Sequence, residues 1–193
     1  MGCKKTEEEE VAASTTTELE GTWSTGCTVD PDATSDPILD IHSFSGTSIN
    51  YFETRYDRNV ANCGTPDMTI NLNGTFEIGA TITTTDVPPL SAKKINITYG
   101  TTTLTAQSTG AVDNFNSGIL CGISNWVLDV TQDVTGKTCD FGGGHAVDFT
   151  AGTVTYSIFD LSGDTYTYQY NDSTSDIARP TQFTAPLSFT KQP

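Results

Sequence analysis

Basic residues are scarce in this 193-residue chain, which has 9 lysines and arginines, 24 aspartates and glutamates, and a formal net charge of −15. Binding to nucleic acid depends on clusters of lysine and arginine that neutralise phosphate charge. Attraction of a polybasic segment to anionic lipid depends on the same side chains. The composition therefore argues against a nucleic-acid partner and against a polybasic membrane-binding patch.

Long hydrophobic runs are missing as well. None of the apolar stretches approaches the roughly 20 residues that a transmembrane helix requires, and no hydrophobic signal segment is present. If the protein is secreted, we therefore expect this sequence to represent the mature form.

Helix-favouring residues are few, whereas threonine, serine, asparagine, glycine and aromatic residues are plentiful. Short alternating stretches, such as residues 38–44, are separated by Gly, Asn and Asp, which is typical of strands joined by tight turns. We expect hairpin turns at Asn73-Gly74 and at Ser162-Gly163-Asp164, and a strand at 125–130. Residues 107–123 fit either a short helix or a long loop. The pattern predicts an all-β domain, either a barrel or a sandwich, over residues 19–193.

The first 18 residues differ from the rest, because they combine a glutamate run with serine and threonine and show no periodicity. Such a segment buries too little apolar surface to fold, so we expect a tether. Its opening, MGCKKT, fits two kinds of lipid attachment. Met1-Gly2 with Thr6 matches the pattern for myristoylation of Gly2. The same letters resemble the start of a bacterial lipoprotein, whose acyl chains, palmitate among them, are attached to a cysteine, here Cys3.

Cysteine usage helps to choose between these alternatives. The chain has five cysteines, none in a C-x-x-C motif or at zinc-finger spacing from a histidine. Apart from Cys3 they are Cys27, Cys63, Cys121 and Cys139. Four cysteines allow three pairings, of which proximity along the chain favours Cys27–Cys63 and Cys121–Cys139. Four free thiols in a cytosolic protein are the alternative. An even set of cysteines in a lysine-poor β domain favours disulfides, an oxidising compartment and lipidation of Cys3.

The stretch LEGTW, which ends in Gly21-Thr22-Trp23, resembles the G-x-W signature of the lipocalins. In that family the tryptophan lies at the closed end of a barrel, and an arginine from near the last strand packs across its indole ring. Arg179, in ARPT, matches that arginine. The resemblance implies an antiparallel up-and-down β-barrel of about eight strands.

The wider layout is similar to that of lipocalin-like bacterial lipoproteins. The matching features are Tyr56-Asp57 followed by Cys63, the stretch GTFEIG at 74–79, and ARPT before the last strand. This resemblance implies attachment to the cell envelope through Cys3 and a small apolar or amphipathic ligand in the barrel. Lys4 and Lys5 after the lipid site resemble the sorting signal of outer-membrane lipoproteins.

Groups for catalysis or metal binding are sparse. His42 and His145 are the two histidines, and we expect His42 at a surface or rim position and His145 in a loop. No nucleophile–base pair can be assembled, so the sequence does not predict an enzyme or a cofactor. Acidic side chains at Asp30, Asp32 and Asp36 lack the Gly and Glu positions of an EF-hand, so no metal site is predicted. Glu53, Asp57 and Glu77 are expected on solvated faces or as turn caps.

Tyrosines form the most distinctive group near the C-terminus. Tyr166, Tyr168 and Tyr170 alternate along one strand, and Tyr156 lies in its predicted hairpin partner. Tyrosine rings with polar tips suit a wet cavity, so Tyr156, Tyr166 and Tyr168 are the candidate ligand contacts. An ordinary barrel core is the alternative. The predicted function is therefore ligand binding, and the alternative is a lipoprotein with a filled barrel that contacts a protein partner.

Overall fold

The structure, a computed structural model, describes residues 17–29, 37–57, 59, 63–141, 146–170 and 174–193. No helix among these residues has both the length and the apolar character needed to span a membrane. The described strands are β1 (Gly21–Val29), β2 (Pro37–Ser45), β3 (Ser48–Tyr56), β4 (Pro66–Thr83), β5 (Ser91–Ala106), β6 (Thr131–Asp133), β7 (Thr138–Asp140), β8 (Ala146–Asp148), β9 (Val154–Ser162), β10 (Thr165–Gln169) and β11 (Leu187–Lys191). The helix α1 spans Thr109–Gly118, and 3₁₀ turns lie at Leu120–Gly122 and Asp176–Ala178.

Eight of the strands close into an antiparallel barrel in the order β1-β2-β3-β4-β5-β9-β10-β11, and β11 pairs with β1. Most neighbours in this ring are consecutive in the chain, so the barrel has the predicted up-and-down topology. Tight turns at Gly46 and Gly163 join two of the hairpins, and both glycines have positive φ angles, of 58° and 59°. The predicted all-β fold and the turn at Ser162-Gly163-Asp164 are confirmed.

The prediction of a hairpin turn at Asn73-Gly74 is wrong, because β4 continues through both residues. The pairing of β4 with β5 shifts register between Leu72 and Gly74, which marks a bulge. A Cβ on Gly74 would lie 2.3 Å from the Thr98 carbonyl oxygen. Gly74 is therefore required because β4 and β5 approach each other closely at this point, and it does not form a turn.

Between β5 and β9 the chain leaves the barrel. We call this segment, of which residues 107–141 and 146–153 are described, the excursion. Ser108 caps α1 by accepting a hydrogen bond from the Ala111 N–H, which settles the ambiguous region 107–123 as a helix. The predicted strand at 125–130 is wrong. Asn116 bonds the backbone of Trp126 in both directions, at 2.7 Å and 3.0 Å, and so replaces the ladder bonds of a strand. The φ angle of Asp129, 57°, also departs from strand geometry.

Two hydrophobic cores support the barrel. The first fills one end with large rings and aliphatic side chains, among them Leu19, Trp23, Phe44, Phe76, Phe159, Tyr166 and Phe189. The second packs the excursion against β4 and β5 and includes Met68, Ile70, Leu72, Leu104, Leu120, Trp126 and Phe149. The described domain therefore has a filled end and an end covered by the excursion.

Both favoured disulfides are present. Cys27–Cys63 joins β1 to the residues before β4, and Cys121–Cys139 joins the 3₁₀ turn at Leu120–Gly122 to β7. The second bridge therefore fastens the β7–β8 hairpin to the turn that follows α1.

The expected stacking of Arg179 on Trp23 is wrong. Trp23 is 1% exposed, donates from its indole N–H to the Leu19 carbonyl at 2.7 Å, and carries the Lys191 ammonium 5.3 Å from its ring centre. Arg179 instead lies over the Tyr156 ring at 5.1 Å and donates to the Ile95 and Ser157 carbonyls at 2.9 Å and 2.6 Å. Lys191, which is opposite Trp23 in the pairing of β1 with β11, thus occupies the position expected for Arg179.

Candidate functional site

A cavity of about 120 Å³ lies inside the barrel, between the aromatic core at one end and the β7–β8 hairpin at the other. Its wall is mostly apolar. The lining side chains include Ile38, Ile49, Ile70, Leu72, Ile97, Tyr99, Phe141, Val147, Phe149, Thr155, Tyr168, Tyr170 and Leu187. A mostly apolar pocket with a few polar groups is the usual form of a small-molecule site.

The polar groups of the cavity come from two neighbouring strands. Asp40 and His42 lie on β2, and Tyr51, Glu53 and Arg55 lie on β3. Asp40 is opposite Glu53 and His42 is opposite Tyr51 in the antiparallel register. Because alternate residues of a strand face the same side, this pairing places all five on the inner face. We call these five residues the polar patch.

Hydrogen bonds connect four of the five residues of the polar patch, and His42 contacts them through the Tyr51 ring. The Tyr51 hydroxyl contacts the Glu53 carboxylate and lies 3.3 Å from Asp40 Oδ1. Arg55 Nε donates to Glu53 Oε1 at 2.5 Å, and the guanidinium lies 5.8 Å from the Phe141 ring centre. Removal from water and the neighbouring Asp40 and Glu53 carboxylates raise the pKa of Tyr51 well above its usual value of 10. Tyr51 is therefore a neutral donor at physiological pH.

His42 lies at the inner boundary of the polar patch. It is 2% exposed, and its ring centre is 4.4 Å from that of Phe189, 5.1 Å from Tyr51 and 5.5 Å from Tyr168. Burial among these rings lowers the pKa of His42 to about 3, so the imidazole is neutral at pH 7. Its Nδ1 is buried and has no hydrogen-bond partner within the described part of the chain.

The β7–β8 hairpin covers the cavity with three apolar residues. Phe141 follows β7, Val147 lies within β8, and Phe149 follows β8. Phe149 is 3% exposed and belongs to the second core, so the cover is packed against the rest of the excursion. The Cys121–Cys139 bridge holds the same hairpin. Access to the cavity from this end therefore depends on the excursion.

The three tyrosines predicted as ligand contacts occupy three different environments. Tyr168 lines the cavity and donates to Ser157 Oγ at 3.0 Å. Tyr166 is 0% exposed inside the aromatic core, where burial raises its pKa. Tyr156 is opposite Asn96, on the face away from Ile95 and Ile97 of the core, and lies under Arg179. The structure thus corrects the placement of Tyr156 and Tyr166, which do not line the cavity.

Sequence reasoning misplaced several residues of the polar patch. His42 was expected near the surface and Glu53 on a solvated face, but both are buried and line the cavity, at 2% and 8% exposure. The alternation of Ile38, Asp40 and His42 was a usable signal, because it places a carboxylate and an imidazole on one face with an isoleucine. For β3, the same period places Tyr51, Glu53 and Arg55 on one face.

Some predicted sites lie outside the described residues. These are Cys3, the acidic positions Asp30, Asp32 and Asp36, and His145. Within the described ranges, no group of three or more His, Cys, Asp or Glu side chains is arranged to hold a metal ion.

The fold and cavity define a closed eight-stranded antiparallel barrel with a small interior site. A scan against protein-family models and a search of curated proteins find no match to the sequence. Function must therefore be argued from the site itself.

Proposed function

We propose that this protein is a lipocalin-like binding protein that holds a small amphipathic molecule in its barrel cavity. The supporting observation is the division of the cavity into an apolar wall and a polar patch on β2 and β3. An apolar wall favours hydrocarbon, and a few fixed polar groups orient a ligand's polar end. The barrel and the stretch Gly21-Thr22-Trp23 also fit the lipocalin resemblance, whereas the position of Arg179 over Tyr156 does not.

The cavity volume limits the ligand. At about 120 Å³ the space is somewhat smaller than an engineered cavity of roughly 150 Å³ in another protein that accepts benzene. A ligand with a single ring or a short alkyl chain fits this space. A long fatty-acyl chain exceeds this space.

The alternative function, a filled barrel that presents its outer faces to a protein partner, is less well supported. Its strongest argument is the aromatic core, which fills one end with residues such as Trp23, Phe159 and Tyr166. Asp40, His42 and Glu53 argue against this alternative, because removing such polar groups from water costs free energy and a barrel that needed only a stable interior would not require them.

Calorimetry with 1-hexanol, n-hexylamine and hexanoate tests the proposed function, using the full chain and a variant whose cavity is filled. Leu187→Trp places an indole in the cavity wall, and Leu128→Trp, at a residue that is 40% exposed, is the matched control. We expect at least one hexyl ligand to bind the wild type and Leu128→Trp, and Leu187→Trp to lose that binding. If Leu187→Trp does not fold, Leu72→Phe fills the same space. Absence of binding by all three ligands would contradict the proposed function.

We also propose that the protein is anchored to a bacterial membrane, with lipid on Cys3 and residues 4–18 as a spacer before the barrel. Both disulfides use the other four cysteines, which leaves Cys3 available for lipid and fits an oxidising compartment such as the periplasm or the cell surface. The lysines after Cys3 support sorting of the protein to the outer membrane.

The intact mass of protein isolated from its native membrane tests this anchoring. We expect a diacylglyceryl-type addition on Cys3, and a mass gain on reduction that matches two disulfides. A myristoyl group on Gly2 would overturn the assignment.

A further inference from the structure

The rings around the cavity indicate which class of ligand it takes, an inference that rests on the proposed function. The lining includes six phenylalanine and tyrosine side chains, namely Tyr51, Tyr99, Phe141, Phe149, Tyr168 and Tyr170. Tyr51, Tyr99 and Tyr168 belong to β3, β5 and β10, which are not adjacent in the ring of strands. A molecule in the cavity therefore has aromatic rings on several sides.

This arrangement favours an aromatic ligand over an alkyl chain. Aromatic rings in offset or edge-to-face contact attract one another more strongly than their buried area alone accounts for. Two rings of the lining already make edge-to-face contacts with the His42 imidazole, Tyr51 at an interplanar angle of 61° and Tyr168 at 81°. One six-membered ring also suits a volume of about 120 Å³, given that a cavity of roughly 150 Å³ accepts benzene.

His42 indicates that the ring carries a polar substituent. The residue is 2% exposed and lines the cavity, and its Nδ1 has no hydrogen-bond partner in the part of the chain that is described. A buried polar atom without a partner costs free energy and calls for an explanation such as a bound ligand. Within the same part of the chain, other buried side-chain atoms without a partner belong to residues that do not line the cavity, namely Thr17, Thr102, Trp126 and Tyr166.

A hydroxyl group is the substituent that suits this imidazole best. Burial lowers the pKa of His42 to about 3, so at pH 7 the ring is neutral, with one nitrogen that donates and one that accepts. A hydroxyl both donates and accepts, and it therefore fits whichever nitrogen faces it. An ammonium group only donates and a carboxylate only accepts. A neutral hydroxyl also costs less free energy to remove from water than a charged group does.

We propose that the cavity binds a small phenol, whose hydroxyl forms a hydrogen bond with the His42 imidazole and whose ring packs among the tyrosine and phenylalanine rings of the wall. The volume limits the ligand to one ring with small substituents.

Calorimetry of the full chain with phenol and cyclohexanol tests the aromatic part of this inference. Both compounds carry one hydroxyl on a six-membered ring and are uncharged at pH 7, so they differ chiefly in aromaticity. We expect phenol to bind about fivefold more tightly. Equal or tighter binding of cyclohexanol would overturn the inference. Binding of a hexyl compound without binding of phenol would also overturn it and leave the proposed function standing. If neither phenol nor any hexyl compound binds, both proposals fail.

A comparison of phenol with toluene tests the role of His42, because a methyl group replaces the hydroxyl at nearly the same size. We expect His42→Phe to weaken phenol binding about tenfold and to leave toluene binding unchanged. Tyr166→Phe is the matched control, since it removes a buried hydroxyl that does not line the cavity, and it should change neither affinity. An equal loss of phenol and toluene binding in His42→Phe would show a merely structural role and contradict the inference.

A measurement on the wild type covers the case in which His42→Phe does not fold. Phenol should shift the nitrogen-15 resonances of the His42 imidazole, because a hydrogen bond forms there, and toluene should shift them much less. Equal shifts with the two compounds, or no shift with phenol, would overturn the inference.

Discussion

Asp40 and Glu53 lie directly opposite each other in the pairing of β2 with β3, and both line the barrel cavity. Like charges in opposite positions of a sheet destabilise it. The Tyr51 hydroxyl lies between the two carboxylates, and Arg55 forms an ion pair with Glu53. Neighbouring inward positions on these strands, such as Ile38 and Phe44, are apolar and buried. The polar patch is therefore a local departure from an apolar interior, which is typical of a functional site.

Tyr51→Phe should destabilise the protein, because it removes the hydroxyl shared by Asp40 and Glu53. A hydrogen bond to a charged group contributes about 1.5–3 kcal/mol, so we expect a loss of this size in the free energy of unfolding. Urea denaturation measures it. Tyr56→Phe, at the last residue of β3, is the control and should change stability by less than about 0.5 kcal/mol. Equal effects of the two substitutions would argue against the hydrogen-bonded patch.

His42 should make stability depend on pH. Its pKa is about 3 in the folded protein and about 6.5 when unfolded, so the unfolded state binds the proton more readily below pH 6.5. Stability therefore falls as the pH drops from about 6.5 towards 3, by about 1.4 kcal/mol per pH unit. Tyr51 and Tyr166, whose pKa values are raised, stay neutral throughout.

The comparison that isolates this effect is between the wild type and His42→Phe. Between pH 7 and pH 5 the wild type should lose about 2 kcal/mol more unfolding free energy than the variant, measured by urea denaturation at both pH values. An equal pH dependence for the two proteins would mean that His42 is not held neutral by burial.

Arg179 should stabilise the barrel wall from outside. It is 8% exposed and donates to the Ile95 and Ser157 carbonyls, which belong to the neighbouring strands β5 and β9. We expect Arg179→Met to lower the unfolding free energy by about 2–4 kcal/mol, because two charged hydrogen bonds are lost. Asp176→Asn changes its exposed partner and should have little effect, since exposed ion pairs contribute little. An unchanged free energy of unfolding in Arg179→Met would contradict this role.

Gly74→Ala should disturb the β4–β5 pairing, because the new Cβ would lie 2.3 Å from the Thr98 carbonyl oxygen, a backbone atom. We expect a loss of about 1–3 kcal/mol, the range for overpacking. Gly118→Ala, where a Cβ meets nothing within 4 Å, is the control and should be close to neutral. Thermal unfolding of both variants, followed by circular dichroism, makes the comparison. Similar melting temperatures would show that the strands can separate at no cost.

The barrel and the disulfides were accessible from the sequence because they depend on local signals. Alternation along residues 38–44 and a glycine turn at Gly163 each define their own part of the chain. Proximity along the chain was sufficient to pair Cys27 with Cys63 and Cys121 with Cys139. In each case the deciding feature is a short stretch of sequence or the number of residues between two cysteines.

The errors arose where a long-range contact overrides a local signal. Asn73-Gly74 has the composition of a turn, but the glycine is required by the approach of Thr98 on the paired strand. The cation above Trp23 is Lys191, which only the closure of β1 on β11 brings there. Glu53 was expected on a solvated face, because the sequence does not show that its partners Tyr51 and Arg55 lie beside it inside the barrel. Burial of a charged residue depends on such partners, and alternation alone does not reveal them.

Nuclear Overhauser contacts between ligand and full-length protein test the central claim most directly. With hexylamine, 1-hexanol and hexanoate added in turn, the account predicts contacts from the methylene protons of at least one of these ligands to Tyr168 and Leu72, which line the cavity. It predicts none to the exposed residues Val127 and Leu128. Contacts confined to those exposed residues, or no contact from any of the three ligands to a cavity residue, would contradict a binding function for this barrel.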